Sequence, residues 1–540
     1  MRWALAAVLA AALLGACGER GGDRQSAAVG GVATAITIHD GWDWSLPSTV
    51  APAANSGFFS ESVSSTQHVD TRSVDVSWRQ IGHRDGSIDL TASGAAQGLR
   101  FLALRDQLAV DGPFWMRIFA SGLDWAPRGI LRRCHVRSVG PDYDGQRHVP
   151  IWKPCIWRKL LRTYRELFVR RGLRADPDLR FVYVPGAFTW AEFDYDMIDA
   201  AVRTQGLTWR EYRRWYRRML RDLVAIFGPY RSKLVFTGED YPYGPFGRRD
   251  DLLARDAVVA GMGIRTGITE VFDNHLSQVP AYGTTIAPDG HMVTDDGWPL
   301  LDGTRVAATE NECYRACGFD VKDLAYAIRM SNLKALQLRM NWIYVVPSDS
   351  YLDRYAPFWE WVRLELGRTA TTTPDAWAFL RDAEDRYWTD ELPTFPFARR
   401  PYVRNLERWL VQRDVAPDGI AARGSDVRRG EVDPENGTAY EGLRARSLYL
   451  DLADSVRQRS SAPVEVKVTY LDRGPWHLEY AGGAGRTSTI TGSGSGRLRT
   501  ATIALADATF DDSLPGSTDL RIVGEGADVE VQFVRVVLTS

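Results

Sequence analysis

From about residue 36 to residue 350, short apolar runs alternate with longer stretches whose apolar positions recur every three to four residues. Runs of the first kind predict strands, and stretches of the second kind predict helices. The predicted strands are Ala35–Ile38, Ser73–Trp78, Phe114–Phe119, Phe181–Val184, Leu234–Thr237, Thr266–Val271, Arg305–Ala308 and Ala335–Asn341. Two helices are well marked. Trp157, Leu160, Leu161, Tyr164, Leu167 and Phe168 share one face, and Gly172 ends that run. Tyr212, Trp215, Met219, Leu223 and Ile226 share another, stopped by Gly228-Pro229. Strand–helix alternation implies a parallel sheet, and eight strands is the number that closes a (β/α)8 barrel. The expected fold class is therefore α/β, with a (β/α)8 TIM barrel over residues 36–395.

The pattern breaks near residue 370, at Thr-Thr-Thr-Pro and then Leu-Pro-Thr-Phe-Pro. Beyond about residue 400 the period falls to two. Val464–Tyr470, Trp476–Tyr480, Thr487–Thr491, Arg497–Leu505, Leu520–Val523 and Val529–Leu538 alternate apolar with polar positions, and glycine-rich turns separate them. Such a run of short strands predicts an antiparallel β-sandwich, residues 396–540.

The first residues follow neither pattern. Met1-Arg2 leads into an uninterrupted apolar run, Trp3–Leu14, and then Gly15, Ala16 and Cys17. A charged start, an apolar core and small residues before a cleavage point define a secretory signal, here residues 1–16. The run falls short of the roughly 20 apolar residues that span a bilayer. Leu14-Gly15-Ala16-Cys17 resembles the lipobox of bacterial lipoproteins, which implies a diacylglycerol on the Cys17 thiol. The polar, glycine-rich residues 17–35 read as a flexible tether. Gly18 is not the Asp that retains many lipoproteins in the inner membrane, so outer-membrane sorting is expected in a cell with two membranes.

Composition narrows the chemistry. The 66 Lys and Arg nearly balance the 68 Asp and Glu, which argues against a nucleic-acid partner. Arg210, Arg213, Arg214, Arg217, Arg218 and Arg221 stripe the second marked helix; the stripe is either a solvated face or a surface for an acidic polymer. Export to an oxidising compartment leaves four of the five cysteines after lipidation. The expected disulfides are Cys134–Cys155 and Cys313–Cys317; a metal site is the alternative, but none of the eight His sits at ligand spacing from them. Nineteen Trp suit a protein that stacks on sugar rings, although most are expected in the core. Glycine-rich phosphate loops, His-Glu-x-x-His and nucleophile elbows are all missing, so no cofactor, metal or nucleotide is expected.

In a (β/α)8 barrel, chemistry sits at the C-terminal ends of the strands. The fourth predicted strand is followed by Pro185-Gly-Ala-Phe-Thr-Trp190-Ala-Glu192, and the fifth by Gly238-Glu239-Asp240-Tyr241. The sixth leads to Phe272-Asp273-Asn274-His275, the seventh to Thr309-Glu310-Asn311-Glu312, and the eighth to Trp342 and Tyr344. Carboxylates, amides and aromatics thus converge on one end. Glycosidic cleavage needs two carboxyls flanking one bond, and Glu192 and Glu310 are placed for it.

A Glu after strand four and a Glu after strand seven resembles glycoside hydrolase clan A. The stretch Ser73-Val-Asp-Val-Ser-Trp78-Arg-Gln-Ile-Gly-His-Arg-Asp-Gly86-Ser-Ile-Asp89 is similar to its beta-galactosidase-like members. The resemblance implies Glu192 as general acid/base and Glu310 as nucleophile of a retaining hydrolase acting on a poly- or oligosaccharide. Many members carry Asn before the acid/base; this chain has Ala191. Glu312 replaces Glu310 if the strand ends two residues later, and Glu239 is a third candidate or a substrate acceptor. Arg117, Trp190, Asn274, His275 and Trp342 are candidate sugar contacts. The C-terminal module, through Val464–Tyr470 and Trp476–Tyr480, resembles carbohydrate-binding-like sandwiches; it either binds glycan or braces the barrel. The competing reading is a non-catalytic glycan-binding or envelope-assembly lipoprotein on a degenerate barrel.

Overall fold

Parallel strands covered on both faces need apolar side chains on both, which is why they read as near-continuous hydrophobic runs. The computed structural model describes residues 35–60, 68–83, 86–96, 99–142, 145–184, 195–237, 251–266, 284–286, 292–294, 303–311, 324–346, 350–381, 405–423, 442–457 and 463–538. Eight strands of this kind form one parallel sheet: Gly57–Phe59, Arg72–Ser77, Phe114–Phe119, Leu179–Tyr183, Leu234–Thr237, Gly263–Thr266, Ala307–Asn311 and Trp342–Val345. From the second to the eighth, each pairs with the next in chain order. The eighth pairs back with the first, Trp342 opposite Gly57, and a parallel bridge from Phe59 to Thr71 joins the first to the second. The sheet thereby wraps into an eight-stranded barrel. Outward side chains such as Val74, Met116, Phe236 and Ile343 enter a large core with the surrounding helices.

Two expected barrel strands need correction. Ala35–Ile38 is not a barrel strand: Ile36–Asp40 runs antiparallel to Leu498–Leu505, with Ile36 opposite Ile503. The true first strand is Gly57–Phe59, three residues long and below the length that periodicity detects. The Ala335–Asn341 run divides between the end of helix Leu324–Gln337 and a turn with Arg339 at φ 62°. The eighth strand starts just after it, at Trp342.

The helices follow the sequence pattern closely. Pro154 occupies the first turn of Pro154–Tyr164, where its missing N–H costs nothing. That helix continues as a π-helical turn, Arg165–Arg170, and ends near Gly172, whose φ of 76° suits glycine. Thr208 caps Trp209–Phe227 reciprocally with Glu211, and Gly228 stops it. Arg213 and Arg217 both pair with Asp256 of helix Asp251–Val259, at 2.9 and 3.0 Å, so part of the arginine stripe joins two helices. Cys134 and Cys155 form the expected disulfide, whereas Cys17, Cys313 and Cys317 lie outside the described residues.

The C-terminal region is two antiparallel sheets. One contains Ile36–Asp40, Leu498–Leu505, Val464–Leu471, Val529–Leu538, Asp375–Phe379 and Leu406–Arg408 along its main path. The other contains Leu410–Arg413, Ser447–Leu452, Leu520–Gly524 and Trp476–Tyr480. Val466, Val468, Ile503, Val534 and Val536 of the first sheet share a core with Leu448, Leu450, Trp476, Leu478 and Ile522 of the second. Thr487–Thr491 forms no strand; Ile490 makes a single bridge to Trp476. Barrel and antiparallel module belong to one compact unit, Thr34–Ser540. No helix among the described residues is long and apolar enough to cross a membrane.

Candidate functional site

Side chains alternate along a strand, so every second residue of each barrel strand points inward. The deeper inward layer is apolar. Phe59, Trp115, Phe181, Val235, Ala308 and Trp342 form one buried cluster, with Phe59–Phe181 centroids 5.2 Å apart and Phe181–Trp342 centroids 5.6 Å apart. The next inward residue on these and the intervening strands, one step nearer the C-terminal ends, is of another kind. It is Asp75, Arg117, Tyr183, Thr237, Arg265, Glu310 or Tyr344. The barrel thus has an aromatic plug below and a charged, hydroxyl-bearing layer above it.

Two ion pairs organise the upper layer. Asp75 and Arg117 stand opposite each other on adjacent strands. They make a two-pronged contact, Arg117 Nε to Asp75 Oδ1 and Nη2 to Oδ2, both 2.9 Å. The guanidinium also lies over the rings of Trp115 and Phe119, at 5.2 and 5.0 Å. Gln107 fixes the strand edge by accepting from the Asp75 N–H and donating to its carbonyl, at 3.1 and 2.9 Å. Arg265 is opposite Ala308, which places it diagonally against Glu310 on the seventh strand. Their side chains form an ion pair, with Arg265 1% and Glu310 3% exposed. Tyr183 and Tyr344 flank the Arg265 guanidinium, their ring centroids 6.0 and 5.9 Å away.

Glu310 is therefore an inward residue near the C-terminal end of strand seven, within the strand rather than after it. Arg117 is tied to Asp75. Trp342, 1% exposed, belongs to the plug one layer below Glu310, so its ring is covered by barrel core. Glu192, Trp190, Glu239, Asn274, His275 and Glu312 lie outside the described residues. Sequence reasoning passed over Asp75, Tyr183 and Arg265. Their signal is a polar residue set against apolar neighbours: Val74-Asp75-Val76, Val182-Tyr183-Val184 and, on one side only, Ile264-Arg265. In a strand apolar on its outer face, such a residue marks the lumen.

Among the described residues, Asp451, Asp512 and Asp519 of the antiparallel module come close enough to share a cation. All three carboxylates are already engaged: Asp519 accepts from the Leu452 and Asp512 N–H groups, Arg413 pairs with Asp451, and Arg457 pairs with Asp512. The large exposed apolar side chains among the described residues are all aliphatic, while Trp377, Trp476, Tyr480 and Phe510 are buried. Among the described residues, the module's aromatics are buried.

No family model matches the chain, and no curated protein matches it. Among solved structures, the isomalto-dextranase of Arthrobacter globiformis T6 complexed with panose superposes with a TM-score of 0.29 at 10% identity, over 87% of this chain and 90% of that one. A superposition at that level shows neither a shared family nor a shared substrate.

Proposed function

We propose that the chain is a glycoside hydrolase acting on a poly- or oligosaccharide, with Glu310 as its nucleophile and Glu192 as its general acid/base. The observation that carries this reading is the position of Glu310. It is a carboxylate inside the barrel, in the layer nearest the C-terminal ends, paired with Arg265, whose guanidinium lies over the Tyr183 and Tyr344 rings. A nucleophilic carboxylate must be aimed, and a guanidinium against it holds it in one orientation. The tyrosine hydroxyls and the Asp75–Arg117 pair supply further polar groups facing the same end. Glu192, outside the described residues, follows strand four in the sequence, which is where the clan A resemblance puts the general acid/base. A retaining mechanism requires the two carboxyls about 5–5.5 Å apart.

The same reading places the enzyme on a membrane. Cys17 carries the lipid, residues 17–35 act as tether, and the outer membrane is the compartment. There the substrate is an envelope or extracellular glycan.

A second reading, a glycan-binding protein without turnover, is favoured by one pair of facts. Glu310 is ion-paired with Arg265, and in the sequence Ala191 precedes Glu192 where many clan A members carry Asn. Hydrolysis of a glycan panel by wild type, Glu310→Gln and Glu192→Gln separates the two. The hydrolase reading expects losses on the order of a thousandfold for Glu310→Gln and about 10²–10⁴-fold for Glu192→Gln. Unchanged turnover in either variant removes that residue from the mechanism. Binding of a glycan that no form of the protein cleaves selects the second reading.

A further inference from the structure

We propose that a groove on the outer wall of the barrel binds an anionic, uronate-bearing oligosaccharide, separately from the barrel mouth. The groove encloses about 960 Å³, and four guanidiniums line it: Arg162, Arg165, Arg170 and Arg174. Its one carboxylate, Glu166, is taken by Arg170 at 2.9 Å. Arg174 is anchored by donating to the Ile226 carbonyl at the end of helix Trp209–Phe227. Arg162 and Arg165 are exposed and have no partner among the described residues. The groove therefore holds a net excess of cations pointed at one concave surface.

The backbone contributes to this arrangement. Arg165–Arg170 is π-helical, with i→i+5 hydrogen bonding. In such a turn residues five apart stand nearly above one another, so Arg165 and Arg170 fall on the face that Arg162 already occupies. A regular α-helix carries Arg170 further round. Residues 165–174 lead into strand Leu179–Tyr183, so the groove lies toward the N-terminal ends of the strands, away from Glu310.

The ligand class follows from charge and shape. A guanidinium fork matches the two oxygens of a carboxylate. Arg162 to Arg170 spans roughly 12 Å of helix, which suits repeated anions along a chain better than one small ion. The volume is at the upper end of ordinary ligand sites, roughly 300–1,000 Å³. A recessed groove suits an extended chain rather than a flat bilayer. The arginine stripe of Trp209–Phe227 is the weaker competitor, because Arg213 and Arg217 are committed to Asp256.

The test is calorimetric titration of the purified full-length chain with a short oligogalacturonate, with a neutral malto-oligosaccharide of equal length as control. Wild type is expected to bind the uronate and not the neutral sugar, with affinity falling several-fold when salt is raised from about 50 to 200 mM. The double variant Arg162→Glu/Arg165→Glu is expected to lose at least tenfold in affinity with an unchanged melting temperature, since both side chains are exposed. If charge reversal perturbs folding, Arg162→Gln/Arg165→Gln supplies the same comparison. Absent uronate binding, binding that both variants retain, or arginine-dependent binding only to anionic phospholipid vesicles overturns the proposal. Retention in the variants places the uronate elsewhere, including the mouth, and so leaves the hydrolase reading to its own test.

Discussion

At the scale of single residues, the barrel interior is decided by which inward positions carry charge. Asp75, Arg117, Arg265 and Glu310 all sit at 7% exposure or less, and a charge so placed is tolerable only when it is paired. The Asp75–Arg117 contact is therefore a structural debt as much as a functional surface. Arg117→Met leaves the Asp75 carboxylate buried without its counter-charge. The expected loss is about 3–5 kcal/mol in urea denaturation, and Asp75→Asn/Arg117→Met recovers a good part of it because no uncompensated charge remains. Equal losses in the single and double variants would show that packing of the arginine on Trp115 and Phe119, not charge, is what matters. Trp342 shows the limit of residue-level reasoning. A Trp at a strand end fits a sugar platform or a core plug equally well, and only the inward layer it occupies decides for the plug.

At the scale of elements, legibility depended on how much of an element's pattern is local. Phe114–Phe119, Leu234–Thr237, Trp476–Tyr480 and Val529–Leu538 carry their own signal, and the structure has strands at those bounds. Gly57–Phe59 carries almost none, because three residues cannot display a period and its partners are remote in sequence. Ile36–Asp40 is a genuine strand whose sheet was invisible, since its partner lies more than 450 residues on. The site shared this fate. Glu310 was legible as a carboxylate near a strand end, but its pairing with Arg265 depends on the register of two strands about 45 residues apart. The segment after Ile36–Asp40 shows what that remote pairing achieves. Trp42 and Trp44 stack at 5.2 Å; Trp44 meets Phe358 and Trp361 of the last barrel helix and Phe533 of the antiparallel sheet, at 4.8, 5.2 and 5.5 Å. Trp44→Ala is expected to cost roughly 3 kcal/mol, read as a lowered urea midpoint. A shift below about 0.5 kcal/mol would mean that this aromatic staple does not hold the two layers together.

At the scale of the whole molecule, the barrel and the antiparallel module meet through a buried polar joint. Arg408 of the module donates to Glu365 Oε2 of the barrel helix Ala356–Glu365 at 3.0 Å, and within the antiparallel sheet Arg535 donates to Asp375 Oδ2 at 2.6 Å, all four side chains being almost fully buried. Burial first, and the nearby Asp375 charge second, push the Glu365 carboxyl well above the ordinary range, with Arg408 opposing them. The folded protein therefore keeps a proton on Glu365 that the unfolded chain has released. That contribution is complete below about pH 4.5 and is lost as pH rises toward the folded-state value. Glu365→Gln, which is neutral at every pH, is expected to lessen the fall in melting temperature between about pH 5 and 8. An unaltered or steeper fall would show that Glu365 is charged in the folded state throughout. Among the described residues, the module's aromatic side chains lie in the core, and the Arg408–Glu365 contact ties it to the barrel.

The central claim remains that Glu310 is a nucleophile. It is tested most directly by mass spectrometry of the protein quenched in acid during turnover of a 2-deoxy-2-fluoro glycoside of whichever sugar the glycan panel identifies. The account predicts a covalent sugar adduct on the peptide containing Glu310, absent in Glu310→Gln. An adduct on another carboxylate, or steady turnover with no adduct on any peptide, would contradict it.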